Sequence, residues 1–100
     1  MQNPIKLSII SMPEKVRAGE FINLEVRAEI VDDKATLGFV FLNVPDLGET
    51  FRFAKKSADV YTLGFEVPYI APAGKYSGQL YATLDNGART PYEIISVVVE

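Results

Sequence analysis

Residues 67–88 read VPYIAPAGKYSGQLYATLDNGA, from Val67 to Ala88. The density of proline, glycine, tyrosine and acid suits either a binding loop or a structural corner, and the residues after Lys75 separate the two. From Tyr76 the side chains alternate, with Tyr76, Gly78, Leu80, Ala82 and Leu84 on one side and Ser77, Gln79, Tyr81 and Thr83 on the other. That is the period-two signature of a half-buried strand. Ahead of it, Pro68 and Pro72 withhold amide hydrogens and Gly74 tolerates positive φ, so PYIAPAG is a connection and not a strand. Behind it, Asp85-Asn86-Gly87 has the chemistry of a tight hairpin turn. The stretch is a corner, a buried strand and a turn, with Pro72, Gly74 and Tyr76 as the corner residues.

The same alternation recurs upstream. In FINLEVRAEIV, Ile22, Leu24, Val26, Ala28 and Ile30 share one side, and in VYTLGFEV so do Tyr61, Leu63, Phe65 and Val67. The segments IKLSII, TLGFVFLNV, TFRFA and YEIISVVV are rich in β-formers without clean alternation. Between them lie PEKVRAGE, VDDKA, VPDLGE, KKSAD and DNGARTP, all with turn chemistry. No segment carries a helical apolar stripe. About seven short antiparallel strands in 100 residues predict an all-β Greek-key sandwich, with residues 1–100 as a single domain.

Composition narrows the function. Thirteen acidic against ten basic residues give a net charge of −3, and the cations are scattered apart from Lys55-Lys56, so phosphate backbones are unsuitable partners and no nucleic acid is expected. There is no Cys and no His. Disulfides, thiolate metal sites, Ser-His triads and the commonest zinc ligand are excluded together. The N-terminal apolar run is broken by Ser8 and ended by Pro13, too short for a secretory signal or a membrane span, so no membrane insertion is expected.

The motifs YTLGFEVP, APAGKY and LDNG, with the opening PEKVRAGEFINLEVRA, resemble those of bacterial immunoglobulin-like domains of surface or secreted proteins. The resemblance runs from about Pro13 to Val99. It implies an immunoglobulin-like sandwich serving as a spacer, adhesion repeat or accessory module, at the cell surface or outside it. In such folds a tyrosine opening the sixth strand bonds back to the preceding loop, the place Tyr76 holds here. Gly78 stands where disulfide-bearing members have their second cysteine.

Other constellations have simpler explanations. Asp32, Asp33, Asp59, Asp85 and Asn86 fall in turns expected at one end of the sandwich, but Lys34, Lys55, Lys56 and Arg89 share those turns and no dense calcium-loop spacing occurs. No metal or cofactor is expected. The carboxylate pairs Asp46 with Glu49 and Glu66 with Glu93 would need a cleft to act as acid and base, so no enzyme is expected. Sugar recognition rests on aromatic platforms. The chain has no Trp, leaving Tyr69 and Tyr81 as its exposed aromatic candidates.

The strand TLGFVFLNV is apolar on both sides, as is YEIISVVV. Val40, Leu42 and Tyr81 are therefore the expected outward interaction face, for an adjacent domain, a protein partner or a weak homodimer. The chain reads as a non-catalytic spacer or protein-interaction module. The alternative is a carbohydrate-binding accessory module of a secreted hydrolase.

Overall fold

Strand pairing sorts these segments into two sheets. The computed structural model describes residues 4–32 and 34–100; Asp33, one of the turn acids, lies outside the described residues. The strands are β1 (Ile5–Ser11), β2 (Lys15–Val16), β3 (Phe21–Ile30), β4 (Leu37–Val44), β5 (Glu49–Arg52), β6 (Ala54–Lys55), β7 (Val60–Glu66), β8 (Gly74–Leu84) and β9 (Glu93–Val99). One sheet has the order β1-β3-β7-β6 and the other β2-β9-β8-β4-β5. The fold is an immunoglobulin-like Greek-key sandwich, antiparallel except where β2 runs parallel to the end of β9.

Two strands are additions to the seven expected. Lys15 and Val16 sit in the turn-like PEKVRAGE, yet Val16 is buried and pairs with Val99. TFRFA is two strands because it changes sheets. β5 pairs with β4, β6 pairs with β7, and between them Phe53 is buried and donates its amide to the Val40 carbonyl at 2.9 Å. A buried aromatic at the crossing fixes where the chain passes from one layer to the other.

The inward positions are the apolar half of each alternation, except that Ile30 at the end of β3 is exposed. Ile5, Leu24, Val26, Val40, Leu42, Leu80 and Ala82 belong to the main core, and Val16, Ile22, Val67 and Val99 form a second cluster. Across the layers Phe51 of β5 stacks on Phe65 of β7 with centroids 4.6 Å apart. A small apolar cavity of about 50 Å³ lies between the sheets, bordered by Leu42, Val44, Phe65, Tyr76, Ile95 and Val97.

The molecule measures 43 × 25 × 18 Å, and the eleven-residue β8, at ~3.4 Å per residue, sets the long axis along the strands. One pole gathers the start of β1, the β3–β4 turn and the β8–β9 turn: Val31 donates to the Pro4 carbonyl and Asp85 to that of Thr36. The opposite pole gathers the β2–β3 turn, the β7–β8 corner and the end of β9. There Gly19 donates to Val67, Val67 to Glu20 and Glu100 to Val16.

Candidate functional site

Burying one side of β4 sends the other to the surface. Val40 (0% exposed) and Leu42 (2% exposed) face the opposite sheet, so Phe39, Phe41 and Asn43 point outward. On β8 the inward Leu80 and Ala82 leave Gln79, Tyr81 and Thr83 outward. The register then builds the outer face of the five-stranded sheet in rows across the strands. Tyr81 is paired with Phe41, and Phe41 with Arg52. The next row toward the β9 end is Ile94, Gln79, Asn43 and Thr50. On the other side Arg89 bridges to Thr83, whose hydroxyl accepts the Phe39 amide at 3.1 Å.

The rings form a continuous layer. Phe39 and Phe41 are tilted at 6.1 Å, Phe41 stacks on Tyr81 at 5.4 Å, and Tyr92 meets Tyr81 edge-on at 5.2 Å. Two guanidinium groups bracket the layer, Arg52 5.0 Å from the Phe39 centroid and Arg89 5.3 Å from that of Tyr81. Such contacts are each worth ~0.5–1 kcal/mol at exposed sites. Beside the rings, Thr50 Oγ1 donates to Asn43 Oδ1 at 3.1 Å, and Asn43 Nδ2 donates to Gln79 Oε1 at 2.9 Å. Phe39 (51% exposed) and Tyr92 (49%) are the open rings, whereas Tyr81 (6%) lies at the centre of the layer under its neighbours.

This corrects the expected interaction face. Val40 and Leu42 are core, and the outward apolar residues of β4 are Phe39 and Phe41. A strand apolar on both sides does not by itself say which side faces in; the pairing with the inward Leu80 and Ala82 decides it. Tyr81 does belong to the outer face, as a covered ring. In YEIISVVV, Ile94 and Val98 are exposed, while Ile95 and Val97 pack inward.

Arg52, Arg89 and Tyr92 were missed by sequence reasoning. Arg89 lies in what reads as a turn and Tyr92 opens YEIISVVV, a segment without clean alternation, so neither has a periodicity to orient its side chain. Thr90 places them: its amide donates to the Ala82 carbonyl at 2.9 Å and its buried hydroxyl accepts the Ala82 amide at 2.9 Å, so the loop is laid along β8 as a strand would be. The signal for Arg52 was the β4–β5 register, which is set by the short Pro45–Leu47 turn and its left-handed Gly48.

Arg27 pairs with Asp59 and Lys56 with Glu25 on the four-stranded sheet, and Lys15 reaches Glu100 at the far pole. Among the described residues Arg52 and Arg89 have no carboxylate within ion-pair distance.

At the corner, Tyr76 Oη donates to the Pro72 carbonyl at 2.7 Å and its ring packs on the second core cluster. Gly74 has φ of 152°, a backbone that side-chain-bearing residues rarely adopt. Tyr69 is exposed but lies over Gly19, whose φ is 83°. A Cβ at Gly19 would come within 2.7 Å of the Tyr69 ring.

The polar turn residues have partners: Asp32 accepts the Lys34 amide, Asp59 pairs with Arg27 of β3, and Asn86 accepts the Ala88 amide. Of the carboxylate pairs, Glu66 and Glu93 belong to different sheets, and Asp46 and Glu49 are exposed around the Pro45–Leu47 turn.

No protein-family model and no curated protein sequence matches the chain. Solved structures do. The fibronectin(III)-like modules of Clostridium thermocellum CbhA superpose with a TM-score of 0.69 at 17% identity, over 99% of this chain and 48% of that one. The endo-β-1,4-mannanase of Thermotoga petrophila matches with a TM-score of 0.68 at 15% identity, over 96% of this chain and 20% of its own. A β-glucosidase of Listeria innocua gives 0.62 at 14% identity, over 97% and 16%. The likeness is one of fold. This chain spans about half the length of the first structure and a fifth or less of the two hydrolases.

Proposed function

We propose that this chain is a non-catalytic module that holds other parts of a bacterial surface or secreted protein at a fixed separation. The observation that carries the reading is the placement of the start of β1 and the end of β9 at opposite poles of a 43 Å body. A chain entering at one pole and leaving at the other adds the length of the sandwich to whatever it joins. The interior favours a passive role: its apolar cavity of about 50 Å³ is far below the ~300 Å³ at which ligand pockets begin, and the wider hollow of about 480 Å³ beside Ala28, Thr36, Lys55 and Asp59 is open to solvent. The matching segments of the mannanase and β-glucosidase are minor fractions of those chains, the proportion of an accessory domain beside a catalytic one. Its partners in this reading are the modules it separates, and its place is outside the cell.

The test is a fusion in which this chain separates two fluorescent proteins, compared with the same pair joined by a Gly/Ser linker of equal length. A flexible linker contracts under crowding. Energy transfer through the sandwich is expected to stay constant as crowding agent is added while that of the linker control rises. A response equal to that of the control would remove the spacing role.

A further inference from the structure

The outer face of the five-stranded sheet has features that spacing does not use. It holds a layer of rings with two open members, two guanidinium groups without carboxylate partners among the described residues, and a hydrogen-bonded row of amides and a hydroxyl. We infer that this face binds an acidic polysaccharide, a chain of sugar rings carrying carboxylates.

The chemistry matches group by group. A guanidinium lying on a ring still has its in-plane N–H donors free at the edge, and those donors suit a carboxylate in bidentate fashion. Arg52 and Arg89 thus offer two anion contacts on either side of one apolar strip. The C–H faces of sugar rings need an apolar surface, which Phe39 and Tyr92 present. Sugar hydroxyls need amides. Gln79 accepts from Asn43 through Oε1, so its NH2 group is the donor left for a ligand.

Charge decides against a second copy of the chain, because pressing two such faces together by a two-fold axis sets arginines against arginines. An acidic peptide fits less well than a glycan. Peptides are held by a free strand edge or a groove, whereas the backbone of β9, β8 and β4 beneath the rings is already spent in the ladder, and the open edge of the sheet is the four-residue β5 at the margin of this face. The surface offers side chains only, and a polysaccharide is recognised through such groups along its whole length.

Affinity electrophoresis through gels containing polygalacturonate, a neutral galactan or polyglutamate tests this on the intact chain. The expected result is retardation by polygalacturonate alone, weakening as salt is raised from about 0.05 M to about 0.5 M. The R52Q/R89Q variant should lose roughly tenfold in affinity, and Phe39→Ala should lose affinity as well. Lys6→Gln, on the outside of the other sheet, should bind as the parent does. All four positions are exposed, and a single cooperative urea transition with the parent's far-UV circular dichroism would confirm intact folds. No retardation by polygalacturonate, equal retardation by galactan or polyglutamate, or undiminished binding by R52Q/R89Q would each overturn the proposal. So would a dimer in sedimentation that the same double variant dissolves, since the face would then belong to a second copy. None of these outcomes alters the fluorescence result that tests spacing.

Discussion

Tyr76 shows how one hydroxyl can set a connection. Its ring packs on the second core cluster while Oη holds the Pro72 carbonyl at 2.7 Å, tying the corner to the strand it precedes. Removing the hydroxyl keeps the packing and loses the bond, so Tyr76→Phe should cost about 0.5–1.5 kcal/mol in urea denaturation. A second tyrosine reports through pH. Burial in the main core pushes the Tyr61 phenol above its ordinary value of 10.0. The folded state therefore favours the neutral form. That contribution is complete below about pH 10 and is lost as pH rises through the folded value, because the unfolded chain ionises first. Stability of the parent should fall more steeply than that of Tyr61→Phe between neutral pH and strong alkali, as read from urea midpoints across that range. Parallel curves would mean that the phenol is not displaced in the fold.

Among the elements, β4 carries the sharpest expectation. Leu42 is buried and borders an existing cavity, so Leu42→Ala enlarges a hole that is already there and should cost about 3–5 kcal/mol. Phe39→Ala, on the opposite side of the same strand, should cost under about 1 kcal/mol, the scale of its exposed contact with Arg52. Reversal of that order in denaturation would turn the strand over. This strand also marks the limit of what alternation can reveal. β3 and β7 were legible because polar residues label their outer sides, as Asn23, Glu25 and Arg27 do on β3. In Gly38 to Val44 both sides are apolar until Asn43, and a register irregularity between Leu37 and Val40 breaks the count. Only pairing with β8 resolves it. The corner was legible because proline and glycine fix backbone chemistry locally. The arginines over the rings were not, because their placement depends on which strands lie side by side.

At the scale of the whole molecule, two sheets filled with apolar side chains, a sheet change at Phe53 and turns tied to one another at each pole make a body that should keep its length. Backbone bonds such as Val31 to Pro4 at one pole and Gly19 to Val67 at the other close the sandwich where loops would otherwise splay. The absence of cysteine in the sequence makes this directly measurable, since two introduced thiols would be the only ones. Spin labels at Lys6→Cys and Lys75→Cys, exposed sites toward opposite poles, give a distance distribution by double electron–electron resonance. One narrow peak is predicted at roughly 30 Å, the rise of about nine strand residues. A broad or two-peaked distribution, or a peak at half that distance, would contradict the rigid sandwich with opposed poles on which the spacing role depends.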